Sequence, residues 1–164
     1  MTTQLLVQEL QKKVTEHGGL PRHIAVIMDG NGRWARKKGG ERIFGHRNGV
    51  ESVRQVVEAS GELGVDYLTL YAFSTENWGR PRTEIEGLMT LLTNAIAKET
   101  TKLNKNNVRL LVIGNIADLP KNVQKNLVQS METLKDNSGL TLVLALSYSG
   151  RWEITDGIRQ MCRD

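Results

Sequence analysis

The chain has 164 residues, 39% of them hydrophobic and 24% charged, with a formal net charge of +4 at pH 7. That length suits one domain with a real core rather than two. No apolar run is long enough to span a bilayer, and a single cysteine, Cys162, excludes an internal disulfide and fits a reducing compartment. The modest basic excess points to anionic partners: phosphates, nucleic acid or a membrane surface.

Leu5, Leu6, Leu10 and Val14 recur at helical spacing before Gly18-Gly19, which predicts a first amphipathic helix. Acids interleave it and no small-residue cleavage site follows, so it does not read as a secretory signal and the chain reads as cytoplasmic. Residues 23–28, "HIAVIM", predict a buried strand. Residues 29–47 are polar, glycine-rich and basic, and predict a long loop of the kind that carries function. From Asn48 onward, Val50, Val53, Val57 and Leu63 fall on one helical face that Gly64 stops. Residues 66–73, "DYLTLYAF", predict the second strand, and "STENWGRPR" a loop. Thr83 and Glu86 form a capping box for a helix that turns Leu88, Leu91, Leu92, Ala95 and Ile96 inward. Residues 107–114 predict a third strand, and Pro120 starts a helix through Val123, Leu127, Met131 and Leu134. Residues 140–147 predict the fourth strand, and "GRWEITDGIRQM" one more helix.

Strand and helix alternate throughout. This predicts a single α/β domain over residues 1–164, an open and mostly parallel sheet with right-handed crossovers and helices on both faces. The strands are near-continuous apolar runs, as doubly covered strands must be. Ligands of such sheets bind at the carboxyl ends of the strands. The loops opening "MDGNGRW" and "STENWGR" are the most polar there, and are expected to face each other across one cleft.

Their chemistry suits a diphosphate with a metal at its edge. Asp29 is a hard oxygen ligand, and magnesium takes one or two carboxylates plus substrate phosphates. Gly30 and Gly32 let backbone amides approach an anion, Arg33 can fork two phosphate oxygens, and Arg42, His46 and Arg80 add donors. The alternative is a solvated basic loop with Asp29 capping the turn. Asn77 is suited to orienting a reacting group, or to an Asx-turn before Arg80-Pro81. Glu76 and Glu84 could be ligands, but suit turn and cap duties better. Trp34, Trp78 and Trp152 are either loop anchors or substrate contacts. The leucine- and alanine-rich strands and the helix over residues 84–99 are either plain core or the wall of a tunnel for an apolar tail.

Competing motifs fail. Gly30 to Ala35 matches G-x-G-x-x-A, but Gly39-Gly40 interrupts a following helix and the second strand ends too late to supply the acid. No P-loop sequence exists, the three histidines lack zinc spacing, and Ser74, Ser147 and Ser149 lack a nucleophile-elbow setting. The few aromatics are not arranged as stacking platforms, which argues against nucleic acid.

The segments "HIAVIMDGNGRWARKKG", "ERIFGHRNG", "LTLYAFSTENWGRP" and "SYSGRWEI" together resemble the cis-prenyltransferases, and within them the bacterial undecaprenyl diphosphate synthases. The resemblance runs from about Leu20 to the end of the chain. It implies elongation of an allylic diphosphate, typically farnesyl diphosphate, by isopentenyl diphosphate with cis geometry, giving the lipid carrier for cell-wall polymers. It implies Mg2+, a homodimer, and peripheral contact with the inner face of the membrane through the lipid product. By motif it makes Asp29 the catalytic and metal-binding residue. It assigns Gly30, Asn31, Gly32, Arg33, Trp34, Arg42 and His46 to the allylic diphosphate, and Ser74, Thr75, Glu76, Trp78 and Arg80 to the cleft. Asn77 takes, or assists in, proton removal. The family pattern continues past Asp164 with an R-x-S-x-R-type motif for isopentenyl diphosphate and a further metal-binding glutamate, so these residues correspond to the N-terminal two-thirds of the catalytic domain. Ser149 stands where "GGR" is common. A non-catalytic allylic-diphosphate-binding or accessory subunit is the alternative reading.

Overall fold

Alternate residues of a strand point to opposite faces, and the apolar runs use this to build one core. The computed structural model describes residues 3–16 and 18–163. Four strands, β1 (His23–Ile27), β2 (Tyr67–Ser74), β3 (Arg109–Ile113) and β4 (Thr141–Tyr148), pair in parallel in the order β1-β2-β4-β3. Between and around them run α1 (Thr3–Glu16), α2 (Asn31–Lys37), α3 (Arg42–Glu62), α4 (Arg82–Lys105), α5 (Lys121–Leu134) and α6 (Gly150–Met161). Ile24 and Val26 of β1 share a face with Leu68 and Leu70 of β2, Leu142 and Leu144 of β4, and Leu110 of β3. That face packs on Val57 of α3, Met89 and Ile96 of α4, and Val123, Leu127 and Leu134 of α5. The opposite face carries Ile27, Tyr71 and Leu111, all exposed. The parallel α/β sheet read from the sequence is the observed architecture, but β1 is not the buried strand expected: its residues alternate exposed and half-buried, and Ile27 is 78% exposed. The side chains of Leu5 and Leu6, and His17, lie outside the described residues.

Two local expectations give way. The long loop over residues 29–47 is instead α2 followed by the first turns of α3, which begins at Arg42 rather than Asn48. No apolar stripe announces these helices because small residues join them. Gly32, Ala35 and Gly45 are buried, and a Cβ added at Gly45 would lie 2.0 Å from the Asn31 carbonyl oxygen and 3.0 Å from the Ala35 Cβ. A helix does therefore open on the G-x-G-x-x-A stretch, but it lasts only seven residues. The capping box at Thr83 is also absent. The helix starts two residues earlier, at Arg82 with Pro81 as its N-cap, and Glu86 accepts from Arg82 Nε at 2.9 Å. The capping box falls instead on the 3-10 turn Thr75–Gly79, where the Ser74 hydroxyl caps the Asn77 N–H and Asn77 Oδ1 accepts from Ser74 N at 3.2 Å.

The end of β2 carries a register irregularity between Tyr71 and Ser74. It turns Phe73 from the exposed face into the core beside Leu146, and sets the next residues, Ser74 and Asn77, over the carboxyl edge of the sheet.

The Gly45 contact yields a paired prediction. Gly45→Ala drives a methyl into backbone and should cost about 3 kcal/mol of stability. Gly61→Ala meets nothing within 4 Å in the same helix, and should stabilise by about 0.5–1 kcal/mol. Thermal unfolding of the two variants checks the contrast; equal melting temperatures would contradict the helix contact.

Candidate functional site

The turn out of β1 and the turn out of β2 meet at one mouth, as adjacent strands require. Gly30, at φ 99°, swings the chain from β1 into α2. This leaves the Asp29 carboxylate accepting from Gly30 N at 2.5 Å and from Arg33 Nη2 at 2.7 Å. Asp29 and Arg33 are 75% and 69% exposed, so their pairing is worth about 0–1 kcal/mol and is readily exchanged. Gly32 leaves room for Arg42, since a Cβ there would sit 2.9 Å from Arg42 Nε.

Glu84 organises the cations. Its carboxylate accepts from Arg80 Nη1 at 2.9 Å and from Arg42 Nη1 at 3.4 Å, and its side chain is 13% exposed. One buried acid thus holds two guanidinium groups whose remaining N–H donors stay available. Sequence reading gave Glu84 a cap duty, or a ligand's, but not this role. The Arg80 partner lies four residues away and could have been read from spacing; the Arg42 partner lies 42 residues away and could not. His46 lines the same mouth. Burial pushes its pKa down, the Arg80 and Arg42 charges add to that, and Glu84 opposes them. The imidazole is therefore neutral near pH 7.

A second network fixes the turn after β2. Trp78 Nε1 donates to Ser147 Oγ at 2.9 Å, and Ser147 Oγ donates to Asp118 Oδ2 at 3.0 Å. Ser147 is fully buried with φ 48°, and the Trp78 ring meets Phe73 edge-on at 4.9 Å. Trp78 is thereby an anchor of the turn. The Glu76 carboxylate is held below its usual range by its own backbone N–H and by the Ser74 hydroxyl, and stays exposed. Tyr148 donates to Glu153 at 2.6 Å, and that bond and burial push its phenol up to about 12.

Behind the mouth lies a cavity of about 460 Å³ between α3, α4 and the sheet. Asp29, Asn31, His46, Ser74, Asn77 and Arg80 line its polar end, and Val50, Val53, Leu88, Leu92, Ala95 and Ile96 are part of its apolar wall. Arg33 and Arg42 are not part of the lining; Arg33 pairs with Asp29, which is, and Arg42 shares Glu84 with Arg80, which is. Thr75, Glu76, Trp78 and Trp34 are not part of the lining; Trp34 instead stacks on Phe44. At the far end Arg54 pairs with Glu99 at 2.6 Å and Lys102 pairs with Glu58, tying α3 to α4. No group of three or more His, Cys, Asp or Glu that could hold a metal gathers among the described residues; Asp29 is the carboxylate at the polar end of the lining, and Glu58 and Glu99 line its far end.

A mouth with arginines and Asp29 on an apolar cavity, set at the carboxyl edge of a parallel sheet, has the chemistry to suit an amphipathic anion. A family model described as "Putative undecaprenyl diphosphate synthase" matches residues 27–164, and the chain belongs to that prenyltransferase family. It is 54% identical over 142 residues to an isoprenyl transferase of Chlorobaculum tepidum, across 87% of this chain and 54% of that one. It is 44% identical over 142 residues to a ditrans,polycis-undecaprenyl-diphosphate synthase, farnesyl-diphosphate specific, of Aliivibrio fischeri, across 87% of this chain and 55% of that one. The crystal structure of lavandulyl diphosphate synthase from Lavandula x intermedia in complex with dimethylallyl diphosphate matches with a TM-score of 0.84 at 26% identity, over 87% of this chain and 61% of that one. The chain spans a little over half the length of the curated relatives it matches.

The His46 environment predicts a titration midpoint below the unperturbed 6.5. Replacing Arg80 with Gln removes a repelling charge and should raise it. A proton NMR titration of the imidazole resolves both; a midpoint at or above 6.5, or one unmoved by Arg80→Gln, would contradict the arrangement.

Proposed function

We propose that this chain binds an allylic diphosphate and forms the N-terminal two-thirds of a cis-prenyltransferase catalytic domain. That enzyme condenses isopentenyl diphosphate onto farnesyl diphosphate with cis geometry, building a long-chain polyprenyl diphosphate such as undecaprenyl diphosphate. The observation that carries the reading is one cavity with two chemistries: the Arg80 guanidinium and the Asp29 carboxylate at its mouth, with Arg33 and Arg42 paired just outside, and aliphatic side chains behind. A diphosphate head with an isoprenoid tail has that same division. The relative from Aliivibrio fischeri is specific for farnesyl diphosphate, and the lavender enzyme was crystallised with an allylic diphosphate, which supports the same ligand class here.

The residues suit the chemistry. Arg33, Arg42 and Arg80 hold diphosphate oxygens, and their fixed N–H donors stabilise the negative charge that grows as the allylic C–O bond breaks. The neutral His46 ring adds a hydrogen bond without adding charge. Asn77 uses Oδ1 to cap its own turn, which leaves its amide N–H group to orient a reactant rather than to abstract a proton as a base. The isopentenyl double bond attacks the allylic carbon, and a proton leaves to form the new double bond. Holding both reactants in line supplies much of the rate. Asp29, an exposed hard oxygen donor beside the mouth, fits magnesium and would hold it there, where it would supply Lewis-acid stabilisation of the departing diphosphate. The enzyme acts as a homodimer at the cytoplasmic face of the membrane, which it contacts through its lipid product.

Two outcomes test this. Arg42→Ala should weaken farnesyl diphosphate binding by about 1.5–3 kcal/mol in low-salt calorimetry; unchanged affinity would remove the mouth as the diphosphate site. Ala95→Leu fills the apolar wall, and should weaken farnesyl diphosphate while sparing the short dimethylallyl diphosphate. Equal effects on both ligands would return Ala95 to plain core.

A further inference from the structure

The basic stretch that follows Arg33 is only partly absorbed by the site. Trp34, which the family motif assigns to the diphosphate, stacks on Phe44 of α3 with ring centroids 5.8 Å apart and planes 16° from parallel. The two rings are 43% and 46% exposed. Lys37 and Lys38 follow Trp34 by three and four residues, and Arg47 follows Phe44 by three, so each ring shares its side of the helical hairpin with cations. Arg36 lies on the same turn of α2. Arg36, Lys37, Lys38 and Arg47 are exposed and, among the described residues, make no ion pair, whereas Arg33 and Arg42 are held by Asp29 and Glu84. The carboxylate in this turn is Glu41. Four cations against that one acid leave a local excess of three, out of a net +4 for the whole chain.

We propose that the tip of the α2–α3 hairpin docks on an anionic lipid surface. The physical division of labour is that of an interfacial anchor. The Trp34–Phe44 block is an apolar body of the kind that settles at headgroup level, and the surrounding Lys and Arg side chains reach lipid phosphates while their stems cover apolar surface. A nucleic acid is less suited, because the two rings stack on each other and form one block rather than separate platforms for bases. The tip does not line the cavity, yet it lies within a helical turn of Arg33 and Arg42. A bilayer held there lies beside the mouth. The purpose of the contact, delivery of a lipid product, rests on the proposed prenyltransferase reading; the binding itself rests on the patch alone and needs no substrate.

Each Lys or Arg near an anionic surface strengthens binding about fivefold at physiological ionic strength. Cosedimentation of the whole chain with vesicles separates the possibilities. It should bind vesicles of phosphatidylcholine mixed with phosphatidylglycerol, bind vesicles of phosphatidylcholine alone far more weakly, and be released by high salt. The exposed pair Lys37→Glu/Lys38→Glu should lower anionic-vesicle binding at least 25-fold without changing the melting temperature. Phe44→Ser should weaken the salt-resistant remainder. Equal binding of the double variant and the parent, or no binding to anionic vesicles, overturns the proposal. So does tighter binding to a single-stranded oligonucleotide than to vesicles at equal salt, lost in the same variant, which would assign the tip to nucleic acid. Vesicle binding with no farnesyl diphosphate binding would instead uphold the docking surface and remove the prenyltransferase reading.

Discussion

At Gly45 the backbone of α3 lies against the Asn31 carbonyl, closer than any side chain would allow. That contact folds α2 back onto α3, and almost everything at the mouth depends on it. Asp29 and Arg33 belong to one arm of the hairpin, and Arg42 and His46 to the other. With the arms apart, these groups would be solvated charges on separate surfaces. With the arms closed, these groups come together beside the end of β1, and the parallel pairing of β1 with β2 brings Ser74, Asn77 and Arg80 to meet them.

Convergence of cations has an electrostatic cost, and Glu84 offsets it. Arg42 and Arg80 share one carboxylate that is 13% exposed, so they approach each other without leaving an unbalanced positive pair. The arrangement is asymmetric in a useful way. The buried acid fixes the direction of the arginines, while the exposed Asp29–Arg33 pair is weak enough to part, freeing a carboxylate for a cation and a guanidinium for an anion. The lowered pKa of His46 follows from the same crowding of positive charge and from burial. Behind this mouth the wall is aliphatic, so the gradient from charge to hydrocarbon runs through a single cavity.

The strands were legible because their side chains are near-continuous apolar runs, and the parallel sheet followed from strand–helix alternation. The candidate site was legible at the level of segments: of the residues named from the sequence, Asp29, Asn31, His46, Ser74, Asn77 and Arg80 line one cavity. What stayed hidden was written in other terms. Helix α2 is held by Gly32, Ala35 and Gly45, and small-residue packing leaves no hydrophobic period. The irregularity that turns Phe73 inward breaks the alternation that sequence reading relies on. Trp78 became an anchor rather than a substrate contact through Ser147 and Asp118, 69 and 40 residues along the chain, a pairing only the tertiary fold creates. The stack of Trp34 on Phe44 likewise requires the hairpin to close.

The central claim is that one cavity recognises a diphosphate head and an apolar tail together. Calorimetry of this chain with farnesyl diphosphate, inorganic pyrophosphate and farnesol, at one salt concentration, tests it directly. The account predicts that farnesyl diphosphate binds far more tightly than either part, with a negative heat-capacity change from tail burial that pyrophosphate lacks. Pyrophosphate binding as tightly as farnesyl diphosphate, with no heat-capacity difference between them, would contradict it.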